Sequence, residues 1–465
     1  MIYMENRTSD TKTRNLILIL FLIGVFMGSL DTGIIGPVLP SIEQSFNLTS
    51  RESSWIFTLY VIAFMIGSPI MAKFSDFYGR KKIFILDVVL FGIGSSLIAL
   101  SPNIESIFIG RIIQGFGCGG IFPVASAYIG DSFPLDERGK ALGILGSVFG
   151  FSAIGGPLVG AALIPVGWNW CFTINIPIAI FLIIFAYHIL PGQENDRKMK
   201  IDYAGIVFLS LLAVFLAYGL NQIDSSNFIS SLLSMNVLPF LILFIILLPI
   251  FLIIEKRSEE PIVPVKMFKN KEITITCIET LCYGIIYSSV IFIPSLVIIS
   301  MGLNNQFASL MLIPILGANA VAAPIIGKIL DSTGTRTIMM AGTLMLSIGL
   351  ITIAAYPDNL ILFIIACFLI GIGMVTIIGA PIRYIVLCEA KPTERGAGQA
   401  IVNMLSSVGQ LMGGALIGGV IASFSGIFGY QMSLILAAVV GIIAFLFTFK
   451  LKSRDEQMKT MKENQ

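Results

Sequence analysis

The sequence predicts an all-α polytopic membrane protein with 14 transmembrane spans, arranged as two six-helix bundles plus two inserted helices. Three observations support this fold class. The chain of 465 residues is 56% hydrophobic and only 12% charged, whereas soluble domains carry roughly 25% charged residues. Apolar runs of about 20 residues, long enough to cross a bilayer as helices, follow one another almost without interruption. A charged loop motif and other short patterns recur in the second half of the chain.

The apolar runs define the predicted spans in order. Their boundaries are 15–40, 54–75, 83–101, 105–129, 140–164, 170–190, 203–221, 235–255, 273–300, 306–329, 336–356, 359–385, 396–424 and 429–449. With the N-terminus inside, 27 of the 29 Lys and Arg residues (all but Arg51 and Arg111) fall at or near the cytoplasmic side. Because short cytoplasmic loops carry an excess of basic residues, we expect a multi-pass protein of the cell (plasma) membrane with cytoplasmic N- and C-termini.

A basic loop that contains an aspartate follows the second span and recurs after the tenth, 255 residues later (331 − 76). The conformational loop residues of the two copies are Asp76, Gly79, Arg80 and Lys81, then Asp331, Gly334 and Arg336. A glycine there can adopt the positive φ of a helix exit. A charged hairpin loop would explain one copy, but two copies in register argue against coincidence. We predict that the aspartates stabilise one conformer, by pairing with nearby cations or by capping the N-terminus of an opposing helix.

Further repeats divide the chain into two homologous halves. Gly115 matches Gly371 at an offset of 256, and Arg138 matches Arg395 at 257. The predicted domains are an N-terminal six-helix bundle (1–190), a linker with two extra transmembrane helices (191–272), a C-terminal six-helix bundle (273–450) and a cytoplasmic tail (451–465). Parallel six-helix halves are the architecture of alternating-access carriers. The inserted spans carry almost no ionisable side chains, so we expect them to be peripheral to the translocation path.

Five motifs resemble those of a known family. The matches, with the family pattern in parentheses, are the loop at 72–81 (G-x-x-x-D-x-x-G-R-[KR]), residues 30–40 (L-D-x-T-x-x-N-x-A-L-P), Arg111, Gln114 and Gly115 (R-x-x-Q-G-x-G), Gly156, Pro157 and Gly160 (G-P-x-x-G-G), and residues 168–177 (W-R-W-x-F-x-x-N-x-P). The chain is similar to the major facilitator superfamily, and within it to the fourteen-span drug:proton antiporters. This resemblance implies the major-facilitator fold and proton-coupled drug efflux by alternating access.

Three ionisable residues at membrane depth are candidates for proton coupling and substrate binding: Asp31, Arg111 and Glu279. A central arginine costs roughly 2.5–3.5 kcal/mol on insertion scales, so Arg111 should face the bundle interior and have a partner; snorkelling to the outer surface is the alternative. Asp31 is either a carboxylate that trades a proton for substrate or an N-cap at a helix break near Pro37. Asp87 lies near the cytoplasmic end of its span, and we expect solvent to reach it.

The fifth span is rich in glycine, and Gly156, Pro157 and Gly160 form its predicted helix-hinge motif. Small residues four apart allow close helix approach, and a proline permits a kink, so packing and gating explain this motif equally well. Aromatic side chains that could stack on cationic drugs are Trp55, Phe57, Tyr60, Phe64, Phe116, Phe122, Tyr128, Tyr283 and Tyr287. Lipid or helix contact would explain most aromatic residues of any helical bundle.

The reactive residues argue against an enzyme. His188 is the only histidine, so no Ser-His-Asp or Cys-His arrangement can be built on more than this one residue, and no phosphate-binding loop is present. The six cysteines are scattered without metal-ligand spacing. We therefore expect no cofactor and no metal site.

The prediction is a secondary active transporter that exports hydrophobic small molecules, cationic ones included, by proton-coupled antiport. Its partners would be the small-molecule substrate, protons and the lipid bilayer, with no nucleic acid, and we expect a monomer. The first alternative is a carrier of another amphipathic cargo, such as a lipid, siderophore or metabolite. A remote alternative is a non-transporting membrane sensor, which the short loops and tail disfavour. An anionic cargo would demand more buried cations than Arg111, the only one that the sequence indicates.

Overall fold

The computed structural model describes residues 11–134, 137–192, 202–223, 227–303, 305–391, 394–424 and 426–463. Within this part of the chain, 14 helical segments are long and apolar enough to cross a membrane, which confirms the predicted number of spans and the all-α fold class. The chain ends 1–10 and 464–465, and most of the predicted charged linker 191–202, lie outside the described residues.

The helices follow the predicted order of half, insert and half. The N-terminal half contains α1 (Thr11–Phe46), α2 (Ser50–Tyr78), α3 (Arg80–Ala99), α4 (Ile104–Ser132), α5 (Arg138–Leu163) and the pair α6 (Trp170–Thr173) and α7 (Asn175–Ile189). The insert contains α8 (Tyr203–Asn221), α9 (Phe228–Leu232), α10 (Leu238–Arg257) and a 3₁₀ turn (Val265–Lys269). The C-terminal half contains α11 (Lys271–Ile291), α12 (Ile293–Met301), α13 (Asn305–Leu310), α14 (Ile313–Thr333), α15 (Thr335–Ala355), α16 (Leu360–Ile378), α17 (Ala380–Glu389), α18 (Arg395–Ser423) and α19 (Ile427–Thr448), followed by α20 (Arg454–Glu463) in the tail.

The two motif loops are single-residue connections. α2 passes into α3 at Gly79, and α14 passes into α15 at Gly334, with φ angles of 94° and 84°. These values lie where a Cβ atom is disfavoured, so the predicted requirement for glycine at these helix exits is confirmed. Both loops lie on one side of the bundle, here named the basic side, which carries Lys81 and Arg336.

Three spans are broken into two helices each, which the sequence analysis did not predict. The breaks lie at Ile174, Phe292 and Gly379. In each case the second helix has a proline within its first three residues, and a proline cannot donate the backbone hydrogen bond that would continue the preceding helix. By contrast, α1 runs without interruption past Asp31. The interpretation of Asp31 as an N-cap at a helix break is therefore wrong.

The two halves meet along α5 and α14, and along α2 and α18. Near the basic side, Gly143 of α5 faces α14 so closely that a Cβ atom there would lie 2.6 Å from the carbonyl oxygen of Ala323 and 2.8 Å from Cα of Gly327. Such an approach of two helix backbones is open only to glycine and other very small residues. The glycines at this end of α5 therefore allow the halves to touch.

The predicted helix-hinge motif packs α5 against α1 within the N-terminal half. A Cβ atom at Gly156 would lie 2.6 Å from Cα of Gly33, and one at Gly160 would lie 3.3 Å from Cβ of Pro37. The helix continues through Pro157 without a break. Close packing, one of the two interpretations of the motif, accounts for its glycines in this conformation, and gating stays a prediction.

We expect Gly143→Ala to lower transport about tenfold, because the added methyl group has no room against Ala323 and overpacking costs about 1–3 kcal/mol. The matched control is Gly317→Ala on α14, where no atom lies within 4 Å of the new Cβ. It should transport at the wild-type rate in proteoliposomes. Equal rates for the two variants would contradict a role of this contact in closing the basic side.

The inserted helices cover the seam between α2 and α18. α8 contacts both helices, Nδ2 of Asn221 donates to Oγ1 of Thr58 at 2.8 Å, and the rings of Trp55 and Tyr218 lie 5.5 Å apart. α10 packs against α8 and exposes most of its apolar side chains. This arrangement favours the predicted peripheral position of the insert.

Cysteine labelling tests that position. In a variant without the native cysteines, Ile246→Cys at mid-depth of α10 should not react with a membrane-impermeant thiol reagent, because its exposed side chain would face lipid. The positive control is Phe149→Cys on α5, whose half-exposed ring lies 5.1 Å from that of Phe122 at the interface between the halves. Labelling of Ile246→Cys that substrate blocks would place the insert in the translocation path.

Candidate functional site

A buried ion pair joins the first and fourth spans. Nη1 of Arg111 donates to Oδ2 of Asp31 at 2.6 Å, and the two side chains are 0% and 1% exposed. Nε of Arg111 donates to the carbonyl oxygen of Ile56 at 3.0 Å, and its guanidinium carbon lies 4.1 Å from the ring centroid of Tyr60. On the same helix, Gly115 lies against the Tyr60 backbone. Arg111 has the predicted intramembrane partner, and the snorkelling alternative is wrong.

Polar side chains complete the surroundings of this pair. Nε2 of Gln114 donates to Oδ1 of Asp31 at 2.8 Å and to Oγ of Ser95 at 2.9 Å. Nδ2 of Asn175 donates to the same Asp31 oxygen at 3.2 Å. Hydrogen bonds to a charged acceptor are stronger than neutral ones, so the carboxylate of Asp31 is well compensated. The sequence analysis missed Ser95 and gave no role to Asn175, although the latter belongs to the 168–177 motif.

Glu279 of α11, the second predicted acid, lies in the other half and has very different surroundings. Its side chain is 0% exposed. Among the described residues, neither of its carboxyl oxygens has a hydrogen-bond partner, and no ion pair includes it. The structure therefore contains one buried acid that is compensated, Asp31, and one that is not.

Asp87 of α3 is buried as well, which corrects the expectation that solvent reaches it. Its side chain is 0% exposed, and its carboxyl oxygens have no hydrogen-bond partner in the described part of the chain. Because α3 begins directly after the tight loop at Gly79, Asp87 lies seven residues into the helix, which is roughly 10 Å along the axis. There it packs against Gly120 of α4, where a side chain would have no space.

A second buried arginine, Arg383 of α17, was missed by the sequence analysis. Its side chain is 4% exposed, Nη2 donates to Oδ1 of Asn403 at 2.6 Å, and Nη1 donates to the carbonyl oxygen of Gln399 at 3.2 Å. Its guanidinium carbon lies 4.2 Å from the ring centroid of Phe122 in the other half. The expectation that Arg111 is the only buried cation is therefore wrong.

The error came from the predicted end of the twelfth span at residue 385, which placed Arg383 among the cytoplasmic charges. The helix instead breaks at Gly379 and continues to Glu389. Pro381 inside an otherwise apolar run was the available signal, because a proline marks a possible helix start. Extending the span beyond that proline would have left Arg383 at membrane depth.

On the basic side, a network of charged side chains links the two halves. Oδ2 of Asp131 lies 3.2 Å from Nη2 of Arg80, and Oδ1 lies 3.0 Å from Nη1 of Arg395. Arg80 also pairs with Asp76 of its own motif. The carboxyl group of Asp76 lies at the first turn of α18, beside the backbone N–H of Ala397. Asp131 thus bridges one arginine from each half.

The second copy of the motif makes the reciprocal contact. Asp331 of α14 accepts hydrogen bonds from the backbone N–H groups of Gly139 at 2.9 Å and Lys140 at 3.0 Å, in the first turn of α5. Both predicted modes, cation pairing and capping of an opposing helix, are therefore present. Lys81 donates to a backbone carbonyl of its own half at 2.6 Å, and Arg336 is half-buried at the start of α15.

The predicted aromatic residues divide between the two buried arginines, the insert and helix packing. Tyr60 contacts one arginine, and Phe122 contacts the other, with Tyr283 buried close to it. Trp55 contacts the insert, and Tyr128 packs within the N-terminal half. Aromatic rings therefore line both buried cations.

Comparisons with known proteins agree with this arrangement. Residues 21–318 and 275–464 match the sequence model of the Major Facilitator Superfamily. The chain is 33% identical over 427 residues to "Uncharacterized MFS-type transporter YfiU" of Bacillus subtilis (strain 168), covering 90% of this chain and 82% of the relative. It is 30% identical over 448 residues to "Multidrug efflux pump SdrM" of Staphylococcus aureus (strain N315), covering 94% and 96%. The fold is similar to the crystal structure of the human organic anion transporter MFSD10, with a TM-score of 0.71, 14% identity, and 94% and 100% of the two chains covered.

Proposed function

The chain belongs to the Major Facilitator Superfamily, and from that premise we propose that it exports hydrophobic small molecules, cations included, in exchange for protons. It is a multi-pass membrane transporter and not an enzyme. A relative named as a multidrug efflux pump, aligned over almost its whole length, supports this class of substrate. The observation that carries the coupling proposal is the contrast between Asp31, which is compensated, and Glu279, which is not.

Glu279 is our first candidate for the exchanged proton. A bare carboxylate in such surroundings costs several kcal/mol, so we infer that Glu279 is a neutral acid while the basic side is closed. When the halves rearrange and water reaches the site, the proton leaves and a negative charge becomes available to a cationic substrate. Proton and substrate then compete for one carboxylate, which produces antiport. Asp31 and Arg111 keep their predicted roles as proton-coupling carboxylate and electrostatic modulator in the N-terminal half.

The direction of transport follows from the closed basic side. Asp131, Arg395 and Asp331 join the halves there. Since basic loops favour the cytoplasm, we infer that the basic side faces the cytoplasm, that both termini lie there, and that this conformation is open toward the outside of a plasma membrane. All residues of the proposed coupling site come from one chain, so we expect a monomer to suffice.

Uptake of ethidium into inverted membrane vesicles tests the proposal. We expect uptake when a pH gradient is imposed, its loss when an ionophore dissipates the gradient, and none in vesicles without the protein. Uptake that ignores the gradient would overturn proton coupling. Absence of uptake for a series of organic cations would overturn the substrate class and favour another amphipathic cargo.

Glu279→Gln should abolish the proton release that substrate addition causes in detergent-solubilised wild-type protein, because the amide has no proton to exchange. We also expect its substrate range to narrow toward neutral or monovalent compounds. The matched control is Glu105→Gln, an exposed acid in the first turn of α4, which should release as many protons as wild type. Unchanged proton release by Glu279→Gln would assign the exchanged proton to another acid, with Asp31 the first to test.

The alternative of another amphipathic cargo also has a specific observation in its favour. Arg383 gives the C-terminal half a buried positive charge that the cation-export proposal does not use.

A further inference from the structure

Arg383 stands out among the buried arginines because no carboxylate compensates it. Arg80, Arg111 and Arg395 each bond to an aspartate at 3.2 Å or less. Arg383 instead bonds to the amide and carbonyl oxygens of Asn403 and Gln399, and its Nε has no hydrogen-bond partner among the described residues. No ion pair of the described part of the chain includes it. Its full positive charge is therefore only partly balanced by neutral dipoles.

A purely structural role does not require that charge. Gln399 already returns a hydrogen bond to the backbone of α17, through Nε2 to the carbonyl oxygen of Arg383 at 2.9 Å. Neutral side chains could complete such a link between α17 and α18. An arginine at membrane depth costs roughly 2.5–3.5 kcal/mol on insertion scales and is generally associated with function. The uncompensated charge is better explained by a ligand than by packing.

The position of Arg383 between the halves is suited to a transported ligand. Phe122 of the N-terminal half covers its guanidinium at 4.2 Å, and the half-exposed ring of Phe149 lies 5.1 Å from that of Phe122. The helix break at Gly379, four residues earlier, faces Gly146 of α5 across the same interface. Broken helices at the junction of the repeats commonly form substrate sites in carriers.

From these contacts we propose that Arg383, Phe122 and Tyr283 form a subsite for the carboxylate of an amphipathic molecule with an aromatic body. The free Nε–H and the guanidinium charge would hold the carboxylate through charge-assisted hydrogen bonds. The aromatic side chains would contact the apolar ring system. This inference rests on the proposed transport function and extends its substrate class from hydrophobic cations to aromatic acids and zwitterions.

Binding of a matched pair of probes to the full-length protein in lipid nanodiscs tests the subsite. The probes are 2-naphthoate and its methyl ester, which share one ring system and differ in charge. We expect wild type to bind the carboxylate about tenfold more tightly than the ester, the scale of one charge-assisted hydrogen bond. Arg383→Gln should reduce this ratio to about one, and Arg383→Lys should keep part of it because the charge remains.

A second variant keeps the arginine and removes only its attraction for an external anion. Asn403→Asp would place a carboxylate beside Nη2, at the present 2.6 Å contact, and should abolish the preference without weakening ester binding. A wild-type protein that binds both probes equally, or an Arg383→Gln protein that retains the preference, overturns the subsite. Ethidium uptake by the same preparations separates the two proposals, because loss of ethidium transport with an intact carboxylate preference would refute only cation export.

Discussion

We expect Asp31→Asn to abolish transport driven by a pH gradient. The substitution removes the carboxylate that compensates Arg111 at 2.6 Å, in a place where both side chains are almost completely buried. Removing one partner of a buried ion pair costs about 3–5 kcal/mol, because the other charge stays buried without its partner. The thermal unfolding midpoint should therefore fall together with transport, both measured on purified protein and in inverted vesicles.

The double variant Asp31→Asn/Arg111→Gln separates the structural cost from the coupling. Without either charge, most of the lost stability should return, since the cost of the single variant lies in the uncompensated arginine. Transport driven by the pH gradient should stay absent if Asp31 takes part in coupling. A double variant that transports like wild type would reduce the pair to a packing device and leave Glu279 as the sole coupling acid.

The large-scale architecture could be predicted because its signals are local or periodic. Apolar run length reports each span separately, and a repeat spacing reports symmetry without knowledge of contacts. The two aspartate motifs, together with the paired Arg138 and Arg395 segments, were sufficient to define the halves. The pairing of Arg111 also followed from cost alone, because an unpartnered arginine at that depth is expensive.

The surroundings of individual charged residues could not be predicted, because depth and cover depend on tertiary contacts. Asp87 was expected in solvent from its distance to the loop, yet it is covered by the small residues of α4 around Gly120. Arg383 was assigned to the cytoplasmic surface by a span boundary, and the helix passes that boundary by several residues. Asp131, at the predicted margin of its span, gave no sign that it would bridge arginines from both halves.

The second large effect is expected at that bridge. Arg395→Gln should open the basic side, because it removes the charge-assisted bonds of Arg395 to Asp131 at 3.0 Å and to the carbonyl oxygen of Gly130 at 2.9 Å. Asp131 is about a quarter exposed, so we expect a loss of about 1–2 kcal/mol, which shifts the conformational equilibrium roughly five- to thirtyfold. Asp131→Asn should act in the same direction.

The shift is measurable as a distance between spin labels on the basic side, one at Tyr78→Cys in the N-terminal half and one at Lys391→Cys in the C-terminal half, in a variant without the native cysteines. We expect one short distance in the unmodified network and a second, longer one in Arg395→Gln. Asp76→Asn should also add the longer distance and reduce transport while expression and substrate binding are kept, because Asp76 lies at the first turn of α18 in the opposite half. Lys82→Gln, which removes an exposed cation from the same side, is the control for net charge. If Lys82→Gln opened the basic side as far as Arg395→Gln, general repulsion between basic loops would explain the effect, and the Asp131 bridge would have no specific role.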